Sequence, residues 1–190
     1  MEQTKPHVIC LNETKLQYEL FFRNYWSHQS LFARKGGCWT AAQQANNIRH
    51  SLVKALGTYL CWTRLDTGTE SVQILNCYLE GGDMAYAKQR ALRVCEIVKD
   101  ILRQDENAAI VVCGDFNNHL DLVSNALHSM NFVSAISPDV STHKFGNHLD
   151  QVFARNILIT NSVVNQDLDH SVTDHRCLKI HLRLRSDLPK

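Results

Sequence analysis

The chain has 190 residues, which is the length of one domain and is long enough to bury a substantial core. Its 20 Lys and Arg residues nearly balance its 19 Asp and Glu residues, so the net charge neither demands nor excludes a nucleic-acid partner. The sequence shows no signal peptide and no apolar run of membrane-spanning length. We therefore expect one domain over residues 1–190, without a membrane partner.

Seven cysteines are scattered along the chain, and none forms a Cys-x-x-Cys pair. Most of them stand in apolar, strand-like runs, where a free cysteine behaves as a small buried hydrophobic residue. This usage argues against a zinc–thiolate site and favours a reducing intracellular compartment, either nuclear or cytoplasmic.

The N-terminal half favours strands. A strand is predicted over residues 8–11, and residues 36–41, which begin with a Gly-Gly pair, are typical of a turn that enters a strand. Residues 42–56 are compatible with a loop, a short strand or a helical turn. Two further strands, joined by a hairpin turn that contains glycine, are predicted at residues 59–65 and 72–78.

The C-terminal half combines helices with strands. Apolar residues at helical spacing predict a helix from Ala87 to Leu102, and a second helix is expected from His119 to Met130. Strands are predicted at residues 109–113, 132–136, 149–154, 157–164 and 177–185, the last from strict alternation of apolar and polar residues. Strands with a few amphipathic helices indicate two sheets packed face to face with helices outside.

The apolar strand at residues 110–113 runs directly into Gly114, Asp115 and Asn117. Asp115 and Asn117 are two residues apart, so both side chains can point the same way in extended chain. A carboxylate beside an amide suits a phosphate group with a metal ion or a water molecule next to it. The alternative interpretation is a polar turn that caps a core strand, and these residues alone favour it.

Three other predicted strands also carry an acid at or near one end: Glu13 follows the first strand, Asp150 lies within Leu149–Ala154, and Asp174 stands beside His175. A buried carboxylate is costly unless it is paired, hydrogen-bonded or bound to a metal. Several strands that end in acids therefore suggest that the acids converge at one edge of a sheet.

The segments ICLNETKL, NCYLE, CGDFNN, HLDQVF and VTDHRCL, in this order, resemble the motifs of the endonuclease/exonuclease/phosphatase superfamily. Within it, the chain most resembles the apurinic/apyrimidinic-type endonuclease domains of non-LTR retrotransposons. The resemblance implies a four-layered α/β sandwich, with two packed mixed sheets flanked by helices and the active site along one rim. It implies a Mg²⁺-dependent phosphodiester hydrolase, with Mn²⁺ as an alternative ion, that nicks one DNA strand and leaves a 3′ hydroxyl.

The resemblance also assigns roles to individual side chains. It implies that Glu13 and Asp174 bind the metal ion, and that Asp115 activates or orients the attacking water. Asp150 is expected to pair with His175, and a charged His175 would stabilise the transition state. The side chains expected to contact the substrate phosphate are Tyr78, Asn117, Thr142 and His175. The remaining histidines, His143 among them, have no motif support and are expected at the surface.

The chain departs from the superfamily pattern at its beginning. Only seven residues precede the first predicted strand, and the usual first strand with its asparagine is absent. We therefore expect a sandwich without that strand and with reduced or lost activity. A phosphatase, an RNA 3′ exonuclease and a decayed binding or structural module remain alternatives. The expected partner is DNA, or else RNA, and a reverse transcriptase domain is an expected neighbour in a longer parent protein.

Overall fold

The computed structural model of the protein describes residues 6–15, 20–30, 36–45, 48–81, 84–165 and 173–184. The strands are β1 (Val8–Asn12), β2 (Tyr25–Gln29), β3 (Cys38–Gln43), β4 (Arg49–Leu56), β5 (Leu60–Asp66), β6 (Ser71–Tyr78), β7 (Ala109–Asp115), β8 (Val133–Ser134), β9 (Asp150–Arg155), β10 (Leu158–Asn165) and β11 (Cys177–Arg183). The α-helices are α1 (Met84–Gln104) and α2 (Leu120–His128), the latter preceded by a 3-10 turn at Asn117–His119. Neither α-helix is apolar enough over a sufficient length to cross a membrane.

These strands form three sheets. The largest is a mixed six-stranded sheet in the order β4-β5-β6-β7-β9-β8. Its one parallel pair is β6 and β7, and α1 makes the crossover connection that a parallel pair requires. The other two sheets are antiparallel, with the orders β1-β3-β2 and β10-β11.

The central strand β7 is buried on both faces, as its continuous apolar run predicts. Ile110 and Val112 point towards the helices and share a core cluster with Val98 of α1. Val111 and Cys113 alternate with them, and their cluster includes residues of β1 and β10. The expected α/β sandwich is therefore confirmed. Among the described residues, both α-helices lie against the same outer face of the six-stranded sheet.

Most predicted elements are present with shifted ends. The helix predicted from Ala87 extends over Met84–Gln104, and the predicted hairpin is formed by β5 and β6. Residues 42–56, which the sequence left open, include the eight-residue edge strand β4. Most β4 side chains are exposed, so no clear apolar alternation marks the strand. In β11 the predicted alternation holds at Leu178 and Ile180, but Leu182 is exposed.

The register of three strands creates one row of polar side chains. Tyr78 of β6 pairs with Asp115 of β7, and Asp115 pairs with Asp150 of β9. Gly114 precedes this row, with a φ of 137°, where L side chains are strained. A Cβ atom at Gly114 would lie 1.9 Å from the backbone oxygen of Cys77. Glycine is thus required for the close approach of β6 and β7 beside the row.

We expect Gly114→Ala to lower the free energy of unfolding by about 3 kcal/mol or more, because it adds a backbone clash to an unfavourable φ. The matched control is Gly146→Ala, since Gly146 also has a positive φ, 89°, but nothing lies within 4 Å of its added Cβ. Urea unfolding followed by circular dichroism measures both variants. Equal losses in the two variants would contradict the proposed clash.

Candidate active site

The polar row begins with two carboxylates that face each other. Asp115 and Asp150 are direct partners across β7 and β9, and Asp115 is only 4% exposed. Burial, followed by the negative charge of Asp150, raises the pKa of Asp115 to about 7, although His175 and the backbone N–H of Asn117 act in the opposite direction. Asp115 is therefore poised to exchange a proton near neutral pH.

His175 joins these two acids. Its Nδ1 atom lies 2.8 Å from Oδ2 of Asp150, which agrees with the predicted pairing. Its Nε2 atom lies 3.9 Å from Oδ2 of Asp115 and 4.0 Å from Oδ1 of Asp174, beyond hydrogen-bonding distance of both. The hydrogen bond to Asp150 is the main cause that raises the pKa of His175 to about 9. At neutral pH the imidazole is therefore charged, with Nε2 available to a substrate.

Asn117 holds Asp115 in position. Its backbone N–H donates to Oδ1 of Asp115 at 3.0 Å, and its side-chain amide donates to Oδ2 at 2.9 Å. The same amide nitrogen also donates to the backbone oxygen of Leu79 at 2.9 Å. Both amide hydrogens are thus engaged, so Asn117 orients Asp115 and would have to exchange one bond to reach the expected phosphate.

Glu13 lies on the other side of the row, in a left-handed backbone conformation with a φ of 51°. Its carboxylate lies 2.8 Å from Nζ of Lys15, and its negative charge acts on the hydroxyl of Tyr78. Burial, the charge of Glu13 and the charge of Asp115 all raise the pKa of Tyr78. Tyr78 is therefore a neutral phenol between two acids, which suits a hydrogen-bond donor.

Two asparagines that sequence reasoning missed join β1 to the row. With its amide oriented to satisfy its neighbours, the side-chain oxygen of Asn12 accepts the backbone N–H of Asp115 at 3.1 Å, and its nitrogen donates to Oδ1 of Asn76 at 2.6 Å. Asn76 is fully buried and donates to the backbone oxygens of Leu11 and Trp39. The sequence offered one signal for this contact: Asn76 is a polar residue within the predicted strand at 72–78, and a buried polar residue needs hydrogen-bonding partners.

Thr142 and His143 lie in a turn at residues 141–147. Thr142 is fully buried, and its hydroxyl accepts the backbone N–H groups of Leu149 and Asp150, both at 3.0 Å. It therefore positions Asp150 in this structure, and the predicted contact of Thr142 with the phosphate stays a prediction. His143 is 8% exposed, so its predicted surface position is wrong; its Nε2 lies 3.3 Å from Oδ2 of Asp174.

The arrangement brings carboxylates and imidazoles together in two places that could hold a divalent ion. Two groups among the described residues bring three ligand atoms within 4.8 Å of one another: Asp115, Asp150 and His175, and also His143, Asp174 and His175. Glu13 belongs to neither group. The side chains of Glu13 and Asp174 are 38% and 45% exposed, which leaves room for the waters that Mg²⁺ retains. The carboxylate oxygens among these groups fit a hard divalent ion. Residues 171 and 172 of the predicted motif lie outside the described ranges.

Solved structures share this fold at low sequence identity. The endonuclease domain of TRAS1, a telomere-specific non-LTR retrotransposon, aligns with a TM-score of 0.65 and 14% identity, covering 86% of this chain and 82% of that chain. The 3′-5′ exonuclease NExo from Neisseria meningitidis gives a TM-score of 0.72 and 14% identity, covering 95% and 91%. A Neisseria 3′ phosphatase NExo variant bound to a product DNA hairpin gives 0.71 and 13%, covering 94% and 90%.

No curated protein sequence matches the chain significantly. The profile of the Endonuclease/Exonuclease/phosphatase family, in contrast, matches residues 1–175. Members of this family are divalent-metal-dependent phosphoester hydrolases. Because the match spans nearly the whole sequence, and the strands and acidic row follow the motif order, the chain belongs to the Endonuclease/Exonuclease/phosphatase family.

Proposed function

We propose that the protein is a divalent-metal-dependent endonuclease that cuts one strand of DNA and leaves a 3′ hydroxyl. The observation that carries this proposal is the imidazole of His175, whose Nδ1 atom lies 2.8 Å from Oδ2 of Asp150, beside the buried carboxylate of Asp115. This constellation combines a cation for the developing negative charge with a base for the attacking water. The fold shared with the TRAS1 endonuclease domain supports DNA as the substrate.

His175 would stabilise the transition state. Asp150 fixes the ring through Nδ1, so Nε2 can approach a non-bridging oxygen of the scissile phosphate. A preorganised cation in a partly buried site stabilises charge that develops during the reaction more strongly than water does. The neutral hydroxyl of Tyr78 can donate to a second phosphate oxygen.

Asp115 would act on the attacking water. Its pKa of about 7 is close to working pH, where a general base is most effective. The two donors of Asn117 direct its carboxylate. A divalent ion held by Glu13 and Asp174 would neutralise phosphate oxygens as a Lewis acid.

A second candidate is a 3′ exonuclease or 3′ phosphatase acting on DNA. The two NExo structures have higher TM-scores, 0.72 and 0.71, than the TRAS1 domain, 0.65. The same side chains would perform this chemistry, because all three reactions break a phosphoester bond. Only the protein surface around the polar row would decide whether the interior of a DNA strand or its 3′ end enters the site.

The first prediction separates these substrates. We expect Mg²⁺, or Mn²⁺, to support conversion of supercoiled plasmid to the nicked circle, and chelator to abolish it. Recessed and 3′-phosphorylated DNA hairpins test the second candidate, and 3′-tailed RNA tests the RNA alternative. Full activity in chelator would refute the metal assignment. Hydrolysis at 3′ ends without nicking would replace the endonuclease proposal, and no hydrolysis of any substrate would favour a binding module.

The second prediction concerns the two reacting side chains. We expect Asp115→Asn and His175→Ala each to reduce the nicking rate on the order of 10²–10⁴-fold, the usual effect of a general base or an electrostatic stabiliser. The control is His181→Asn, since His181 is exposed on β11. Near-UV circular dichroism checks the fold of each variant. A wild-type rate for Asp115→Asn would remove Asp115 from the mechanism.

The third prediction follows from the buried charge of Asp115. Its folded-state pKa of about 7 exceeds the usual 3.8, so protonation favours the fold. This contribution is complete below about pH 4 and is lost as the pH rises through 7. The raised pKa of His175, about 9 against 6.5, also stabilises the fold, but that contribution is complete below pH 6.5 and is lost as the pH rises through 9.

In chelator, the wild type should therefore lose stability between pH 4 and pH 7, whereas Asp115→Asn should not. The difference between the free energies of unfolding of the variant and of the wild type should rise over this range. The expected gain is on the order of 2–4 kcal/mol, since each unit of pKa shift corresponds to about 1.4 kcal/mol. Urea titrations at a series of pH values measure it. A difference that stays constant over this range would show that Asp115 ionises normally.

A further inference from the structure

We propose that His143 is a positioning residue, which holds Asp174 away from His175 so that Nε2 of His175 stays open to the substrate. The inference rests on the proposed function, because it assigns His143 to the same reaction. It adds to the site a histidine that no superfamily motif in the sequence marks.

His143 is packed directly against the catalytic histidine. Its ring centroid lies 5.0 Å from that of His175, with the rings at 77°. Its Nε2 atom lies 3.3 Å from Oδ2 of Asp174. The two histidines also pair through an isolated antiparallel bridge between their backbones. His143 is therefore fixed beside both Asp174 and His175.

The backbone determines which nitrogen of His143 carries the proton. The N–H of Phe145 donates to Nδ1 of His143 at 3.3 Å. A ring nitrogen that accepts a hydrogen bond cannot carry a proton, so the proton of the neutral imidazole lies on Nε2. Nε2 faces the carboxylate of Asp174, and His143 is thus a donor to that carboxylate.

The carboxylate of Asp174 has three charged or polar neighbours: His143, His175 and Lys144, whose Nζ atom lies 3.9 Å from Oδ2. Its Oδ2 atom is close to His143, whereas its Oδ1 atom lies 4.0 Å from Nε2 of His175. A rotation that closes this gap by about 1 Å would form a hydrogen bond between Asp174 and His175. Both nitrogens of His175 would then be occupied, since Asp150 already holds Nδ1. The bond from His143 opposes this rotation and keeps Nε2 free.

The turn does not need the His143 side chain to stay in place. The backbone N–H of Lys144 donates to the backbone oxygen of Asp174 at 2.9 Å. The backbone N–H of Arg176 donates to the backbone oxygen of Thr142 at 2.8 Å. Substitutions of His143 should therefore change the orientation of Asp174 without unfolding the turn. This separation allows the role of the side chain to be measured.

A metal site at His143, Asp174 and His175 is the competing interpretation, since their ligand atoms lie within 4.8 Å of one another. A metal ion on Nε2 of His143 requires the proton on Nδ1. The N–H of Phe145 already points at that nitrogen. The hydrogen-bonding pattern therefore favours a donor over a metal ligand.

Two substitutions separate the two sides of the ring. In His143→Gln the side-chain amide can reach Asp174 as a donor but loses the acceptor for Phe145. In His143→Asn the shorter side chain can accept from Phe145 but does not reach Asp174. We expect Gln to retain plasmid nicking within about threefold of wild type. We expect Asn to lower kcat about tenfold or more with little change in KM, because the free nitrogen of His175 acts in the transition state.

Nitrogen-15 NMR of the metal-free wild type in chelator supplies a readout that does not depend on activity. A proton on Nε2 of His143 supports the proposal, and a proton on Nδ1 overturns it. Equal nicking rates for the Gln and Asn variants also overturn it. If both variants lose the same rate and the same thermal stability, the role of His143 is structural. A wild type without activity on any phosphoester refutes the proposed function, and the ring tautomer alone then decides the inference about His143.

Discussion

Two carboxylates that face each other across neighbouring strands determine which side chains must surround them. Asp115 and Asp150 are paired residues of β7 and β9, and their mutual repulsion adds to the cost of burying Asp115. The compensation comes from the imidazolium of His175 and from the two donors of Asn117. His175 is held in turn by Asp150, and Asn117 by the backbone oxygen of Leu79. The polar side chains at this edge of the sheet are therefore arranged around the pair of Asp115 and Asp150.

The position of Glu13 depends on a second buried polar contact, which links the two larger sheets. Asn76 lies in the six-stranded sheet and donates to backbone oxygens of β1 and β3, while Asn12 joins β1 to the backbone of Asp115. Because buried polar groups must be satisfied, these bonds are lost if one sheet slides against the other. They therefore fix the register that brings Glu13 against Tyr78. The site is assembled by packing between the sheets as much as by the order of strands within one.

The sequence predicted those parts of the molecule that follow from local pattern. The continuous apolar run of β7 identified a strand buried on both faces, and the acids at strand ends identified the rim. Tertiary contacts could not be predicted in the same way. None of the eight residues of β4 is buried, so no apolar pattern marks this strand, and the two backbone N–H groups that the hydroxyl of Thr142 accepts could not be foreseen from its motif. His143 looked like a surface histidine because its partner, Asp174, lies 31 positions further along the chain.

The charges of the rim explain why a divalent ion suits this site. Four acids lie there, and among the described residues the cations in contact with them are Lys15, Lys144 and His175. The acids outnumber these cations, so a phosphodiester would meet net repulsion in a partly buried place where Coulomb interactions are only weakly screened. An ion of charge +2 would reverse that balance. Under the proposed function, the same excess of acid that makes the site costly to fold would make binding of a phosphoester substrate dependent on the ion.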